Sequence, residues 1–465
     1  MAIKNMFVKN LLKLTSSSVM AQLILIISSP ILTRLYNPND FGLFALFLSV
    51  LTILATLANL RYDQAIIIPK DDNKAKQIVY LCLCINIFIF IFIFIILYFF
   101  HKNIFSIFNI EELNNLYWIL PFAILFIGIF QSFNYWLLRS KEFNQIAKIK
   151  IQQSVVIVGF QLVFFRLGAL CLILGHTIGQ FFGVLVNGFL FLKKNKPNLS
   201  GMKQVGHEYR NFPIYSIWSA LLNNIGSQLP VFLFTIYFSP AIAGLYLLTQ
   251  RVIKSPLAII SQAVTQIFIS NLRNEDHVIK DRILKINNFL TTIVVVPLAV
   301  VMVAGENLFS IIFGSQWKEA GTVAAILVPW IFIVFICSPI SSLLEYKGLQ
   351  KKYLIFQICL FLSRLISIGV GVYLFDEYNH TLLLFSTIST LAWIGFFYFV
   401  MKVYYIELSS WLAPILKKIC IVFLFFYPLT MLGEINIFIF YLLILLISAL
   451  SFFIIFEKSI LKYED

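Results

Sequence analysis

The chain has 465 residues, 60% of them hydrophobic and 12% charged, with a mean hydropathy of +0.91 and a formal net charge of +14. That balance excludes an ordinary soluble domain. It does not point to a nucleic-acid partner either, because the basic residues lie in short connections, where membrane topology and anionic lipid headgroups account for them.

A spanning helix needs about 20 apolar residues, and hydropathy predicts about fourteen such segments. They lie near 15–33, 41–60, 78–100, 117–138, 151–166, 168–192, 213–238, 241–270, 287–313, 318–344, 353–375, 380–403, 417–433 and 436–456. The long unbroken runs predict a helical bundle, not barrel strands. The first segment follows MAIKNMFVKNLLKL, basic and then apolar like a signal peptide. No small-residue cleavage site follows, and the run continues into SPILTRLYNP, so an uncleaved first helix is expected.

The connections alternate in charge along the chain. With the N-terminus taken as cytoplasmic, the loops on that side carry Arg61, Lys70, Lys74 and Lys76, then Arg139, Lys141, Lys148 and Lys150, then Lys193, Lys194, Lys196, Lys203 and Arg210. The opposite loops carry little beyond Arg34, Lys102, Arg166 and Lys318. Basic residues are retained on the cytoplasmic face during insertion, which places both termini in the cytoplasm.

Several chemistries find no support in these loops. The longest connections, around Lys193–Phe212 and Asn271–Ile286, are too short to fold as domains. No G-x-x-x-x-G-K-[ST] phosphate loop occurs, and His207-Glu208 continues as Tyr-Arg-Asn and not as a zinc motif. Asp71-Asp72 sits beside Lys70 and Lys74 and reads as a solvated charged loop. The outer loops hold scattered acids (Asp40, Glu111, Glu112, Asp376, Glu377) with no domain to position them. The six cysteines lie in apolar segments without metal-like spacing and read as small core residues. No cofactor is expected, and what remains is movement of something across the bilayer.

Polar side chains recur at helical spacing inside four segments. The first carries Ser18, Gln22, Ser29 and Thr33, and the second Ser49, Thr52, Thr56, Asn59 and Asp63. The seventh carries Ser216, Ser219, Asn223 and Ser227, and the eighth Arg251, Ser255, Gln262 and Thr265 with Lys254 alongside. Interhelical hydrogen bonding explains any one such residue, but four stripes on these helices predict a shared aqueous cavity. Arg251 lies about eleven residues into its segment, near mid-bilayer, where an Arg left in lipid costs ~2.5–3.5 kcal/mol. Lys254 lies within a turn of it, and Arg364 is a third buried cation. Cations so placed are candidates for contact with a phosphate or carboxylate, the competing reading being ion pairs with Asp63 or Glu345.

The chain also carries a faint internal repeat, about 200 residues apart. PILTRLYNPNDFGLFAL from Pro30 resembles PVFLFTIYFSPAIAGLYLL from Pro230, each joining the first two helices of a half. The expected organisation is an N-terminal lobe (1–192), a cytoplasmic linker (193–212), a C-terminal lobe (213–403), and two further helices with a cytoplasmic tail (404–465). The six segments between the repeats make them parallel, related by an axis along the membrane normal.

With these segments on the page, the chain resembles the polysaccharide-exporter branch of the multidrug/oligosaccharidyl-lipid/polysaccharide superfamily, which includes the Wzx-type flippases. The resemblance rests on SPILTRLYNPNDFGLFALFLSV, LRYDQAIIIPKDDNKAKQIV and QLPVFLFTIYFSPAIAGLYLLTQRVIKSPLAIISQAVTQIF. It implies a MATE-like, all-α polytopic fold of two six-helix lobes and two C-terminal helices, in the bacterial inner membrane. It further implies translocation of undecaprenyl-pyrophosphate-linked oligosaccharide to the outer leaflet, alongside a polysaccharide polymerase and a chain-length regulator. Related lipid II flippases use cationic cavity residues on helices 1, 2 and 8, whose positional counterparts here are Arg34, Arg61 and Arg251. A drug/cation antiporter of the same superfamily needs buried acid, which the first helix lacks. A polymerase or membrane glycosyltransferase needs a substantial outer loop, which the chain also lacks.

Overall fold

The computed structural model describes residues 2–107, 111–194, 198–270, 276–346, 349–430 and 448. Sixteen α-helices follow one another: α1 (Ala2–Leu35), α2 (Pro38–Leu57), α3 (Tyr62–Ala65), α4 (Asp72–Ile107), α5 (Ile119–Arg139), α6 (Phe143–Val163), α7 (Ala169–Lys194) and α8 (Leu199–Glu208), then α9 (Ile217–Tyr237), α10 (Pro240–Thr249), α11 (Ser255–Ser270), α12 (Asp276–Phe313), α13 (Lys318–Tyr346), α14 (Gln350–Leu374), α15 (Tyr378–Val403) and α16 (Leu408–Thr430). Among the described residues there is no strand, and nine helices are long and apolar enough to cross a membrane. The expected fourteenth segment, 436–456, lies almost wholly outside the described residues.

The chain divides into two compact units, Met1–Leu247 and Leu248–Asp465. In the first, the Asn37–Gly42 joint shows how local chemistry sets helix direction. Asn37 Oδ1 accepts from the Asp40 N–H at 2.8 Å, and Asp40 Oδ2 accepts from the Asn37 N–H at 3.2 Å, a capping box with Pro38 in the first turn. The other Asp40 oxygen accepts from the Ala169 N–H at 2.9 Å, so one carboxylate caps both α2 and α7. Asp40, read from sequence as a scattered outer acid, is therefore a structural staple.

The two segments read as an internal repeat meet in a reciprocal contact. A Cβ placed on Gly42 would lie 1.7 Å from the Pro240 carbonyl oxygen, and one placed on Gly244 would lie 2.0 Å from the Pro38 carbonyl oxygen. Each repeat thus presents its glycine to the other's proline, and the backbones approach as only glycine allows.

The linker differs from the expected loop. Asn198 accepts from the Ser200 N–H at 3.2 Å and starts α8, whose Met202 and Val205 bury against Ile78, Val79 and Tyr62. Three polar ties fix it further: Lys74 to Glu208 at 2.9 Å, Gln77 Oε1 accepting from the Asn198 N–H, and the Tyr62 hydroxyl donating to the Gly206 carbonyl. Asp72 is likewise not merely solvated, since Arg139 donates to it at 2.8 Å and also to the Pro69 and Lys70 carbonyls. Of the cysteines, Cys82, Cys171 and Cys337 are buried as expected, but Cys84, Cys359 and Cys420 face outward. In a membrane protein an apolar side chain gains nothing by turning inward from lipid.

In the second unit, α12 and α13 form an antiparallel pair to which α16 is fastened. α16 begins nine residues before the expected 417, because hydropathy stumbles on Lys417-Lys418. The Lys418 ammonium is 8% exposed and donates to Asn288 O at 2.7 Å, Asn288 Oδ1 at 2.6 Å and the Thr292 hydroxyl, all on α12. α6 similarly begins at Phe143 and not at 151, taking Lys148 and Lys150 into the helix.

Candidate functional site

Polar groups inside the apolar helices form one set in each unit. In the first unit, Ser49 Oγ donates to Gln228 Oε1 at 2.9 Å, and Asn224 Nδ2 donates to Thr56 Oγ1 at 2.6 Å. These bonds tie α2 to α9 in the manner expected of Ser, Thr and Asn in membranes. Asn59, 2% exposed, donates to the Gly128 carbonyl of α5 at 2.8 Å, and Asp63 is 4% exposed within α3. Thr56 and Asn59 therefore sit in helix contacts, and Asp63 is buried. The α9 residues that meet α2 are Asn224 and Gln228, while Asn223 is exposed. Gln22 is half-buried on α1.

The two counterparts drawn from the family resemblance lie at helix ends. Arg34 is exposed in the last turn of α1. Arg61 is half-buried in the turn before α3 with φ +65°, next to Leu60 at φ +45°. Two successive non-glycine residues in the left-handed region store strain of order 1–3 kcal/mol each.

In the second unit, the eighth expected segment is interrupted. Pro256 has no N–H to donate and its ring crowds the carbonyl four residues back. The helix answers by widening into a π-turn over Gln250–Lys254, where the Ser255 N–H donates to the Gln250 carbonyl. Such turns recur at functional sites because they re-aim side chains. This one carries Arg251 and Lys254.

The Lys254 ammonium lies 4.8 Å from the ring centroid of Trp330 on α13, and the Arg364 guanidinium of α14 lies 5.7 Å from the same centroid. Trp330 is 3% exposed. Beside it is a cavity of about 260 Å³ lined by Lys254, Ser261, Gln262, Thr265, Trp330 and Ser338 together with apolar side chains. The Ser261 and Ser338 hydroxyls hydrogen-bond across α11 and α13. Arg251 shares the π-turn and is half-buried, but neither it nor Arg364 lines this cavity; Arg364 reaches the site through the Trp330 ring. Among the described residues, neither Arg251 nor Lys254 has an acidic side chain within ion-pair distance. No cluster of three or more His, Cys, Asp or Glu suited to a metal occurs among them.

The two centroid distances hold the like charges no more than about 10.5 Å apart, a repulsion of about 1.6 kcal/mol or more at an effective dielectric constant of 20. Cation–π contacts of about 0.5–2 kcal/mol each are of the size needed to offset that. The arrangement suits an anion: Lys supplies a point charge and Arg a planar fork for phosphate oxygens. The structure thus brings Lys254, Arg364 and Gln262 together with Trp330. Trp330 is invisible to sequence reasoning, since a Trp within an apolar run reads as core and its partners are 76 and 34 positions away.

The family described as polysaccharide biosynthesis protein matches residues 31–323. The chain is 27% identical over 267 residues to the teichuronic acid biosynthesis protein TuaB of Bacillus subtilis (strain 168), covering 54% of this chain. It spans 53% of that relative's length. It is 22% identical over 357 residues to the lipopolysaccharide biosynthesis protein WzxC of Escherichia coli (strain K12), covering 73% of this chain and 70% of that one. Among solved structures, the lipid II flippase MurJ in an inward closed conformation superposes with a TM-score of 0.78 at 13% identity, over 98% of this chain and 99% of that one. An inward-facing MATE family multidrug transporter superposes with a TM-score of 0.61 at 14% identity, over 84% and 94%. At these identities the two structures establish the fold: an all-α, polytopic transporter fold of the MATE and MurJ type.

Proposed function

This chain belongs to the polysaccharide biosynthesis protein family, and from that premise we propose that it is a flippase for polyprenyl-pyrophosphate-linked oligosaccharide. In this reading it carries undecaprenyl-pyrophosphate-linked units of a surface polysaccharide from the cytoplasmic to the periplasmic leaflet of the inner membrane by alternating access. It is a transporter and not an enzyme, and the pseudo-repeats at 1–192 and 213–403 are its moving parts. Its partners are the lipid-linked oligosaccharide, membrane lipids, and the polymerase and chain-length regulator that use the flipped unit.

The observation that carries the reading is the meeting of the Lys254 ammonium and the Arg364 guanidinium at one buried indole beside a cavity with no acid among its described lining residues; the Glu345 side chain lies outside the described residues. A pyrophosphate leaving water must replace its hydration, and charge-assisted hydrogen bonds from Lys and Arg do so. A drug/cation antiporter would need the opposite sign at this place.

The test is Lys254→Ala and Arg364→Ala, separately and together, in the native strain. The expected result is normal protein in the membrane, loss of surface polysaccharide, and accumulation of lipid-linked oligosaccharide facing the cytoplasm. Undiminished export by the double variant would remove these residues from the site.

A further inference from the structure

A buried Lys in a membrane protein is commonly balanced by a carboxylate, yet among the described residues Lys254 has no acidic side chain within ion-pair distance. Here the group that Lys254 and Arg364 share is an uncharged ring, and the cavity beside it is lined by hydroxyls, one amide and apolar side chains. The ring is itself fixed: Trp330 is 3% exposed, follows Pro329 in α13, and meets the Phe385 ring of α15 edge-on at 5.3 Å and 69°. Lys254 and Arg364, by contrast, come from separate helices on long flexible stems.

The chemical consequence follows from the sign of each group. A carboxylate would stabilise the two cations, but it would also repel an arriving pyrophosphate and have to be displaced by it. The indole face offers negative potential to a cation through its quadrupole while carrying no net charge. It therefore holds the cations without opposing an anion.

We propose that Trp330 is a positioning residue of the headgroup site: its ring holds the Lys254 ammonium, which lines the cavity, and the Arg364 guanidinium next to that lining, and this sets the affinity for a pyrophosphate-bearing lipid. The inference rests on the flippase reading given above. Trp330 acts through the two cations, which make the contact with phosphate oxygens.

The test uses the purified full-length protein in nanodiscs. Binding of undecaprenyl pyrophosphate is measured directly, and inorganic pyrophosphate is added as a competitor. Trp330→Leu is expected to weaken lipid binding tenfold or more, and Trp330→Phe, which keeps a π face, to stay within about threefold of the native protein. Fluorinated tryptophans at position 330 withdraw electron density from the ring at nearly constant size, so affinity should fall stepwise with fluorine number. That series also carries the test if Trp330→Leu does not fold, because a purely packing role would leave it flat. Native affinity in both Trp330→Leu and the fluorinated series overturns the inference and leaves the flippase reading standing. Lipid binding that inorganic pyrophosphate cannot displace also overturns it, because the contact is then to the polyprenyl tail. Failure of the native protein to bind the lipid at all overturns both.

Discussion

Lys254 and Lys418 look alike in the sequence, each a lysine in an apolar run, yet the structure settles them in different ways. Lys418 is saturated by three oxygens of α12 contributed by Asn288 and Thr292. Lys254 has an aromatic face and an open cavity. Lys418→Met should leave Asn288 Oδ1 without this donor, while the Asn288 carbonyl keeps the Thr292 hydroxyl, and cost about 1–3 kcal/mol, lowering the thermal midpoint in detergent. The same substitution at Lys254 should leave stability near native or raise it while abolishing polysaccharide export. A fall in stability at Lys254 and none at Lys418 would reverse the two assignments. Sequence could flag both as costly buried charge, but it could not sort them. The groups that decide are 130 positions away for Lys418 and 76 for Lys254.

At the scale of the element, the two repeats were legible because their Pro and Gly residues punctuate backbone geometry directly. The reciprocal approach of Gly42 to Pro240 and of Gly244 to Pro38 leaves no room for a methyl group. Gly42→Ala and Gly244→Ala should each destabilise by about 3 kcal/mol or more, since backbone cannot yield as a side chain can. Gly159→Ala on α6, which meets nothing within 4 Å, should gain about 0.5–1 kcal/mol from helix propensity. Helix α8 was not legible: its ten residues are too polar for a hydropathy window, and its signals, Asn198 as a cap and Met202 and Val205 on one face, are faint. Part of its docking titrates. The hydrogen bond from the Lys74 ammonium holds the Glu208 carboxyl below the usual carboxylate range, so the pair stabilises the native state above that range and loses its effect as pH falls through the lowered value. The pair is exposed and its contribution is small. Hydrogen exchange should therefore show α8 loosening between roughly pH 5 and pH 3, and Glu208→Gln should remove that dependence.

For the whole molecule, the inference that matters is direction. Lys203 is exposed on α8, so a cysteine placed there should react with an impermeant maleimide only from the cytoplasmic side. Labelling from the periplasm would invert the topology and with it the sense of transport. With the cytoplasm as the starting side, the membrane potential becomes a source of work: each negative charge carried outward from a negative interior gains about 2.3 kcal/mol per 100 mV. Whether the headgroup carries that charge uncompensated depends on the cations. In the proposed alternating-access cycle Lys254 and Arg364 stay with helices that return, so a pyrophosphate headgroup should move as net negative charge while they stay behind. Proteoliposomes with a potassium gradient and valinomycin supply the test. A fluorescent polyprenyl-pyrophosphate lipid should accumulate in the leaflet on the positive side, and reversing the gradient should reverse the accumulation. Random insertion of the protein does not blur this outcome, because a two-way carrier at equilibrium reads the potential and not its own orientation. Equal distributions at both polarities would mean that the charge crosses neutralised, and the driving force would then have to come from an exchanged ion.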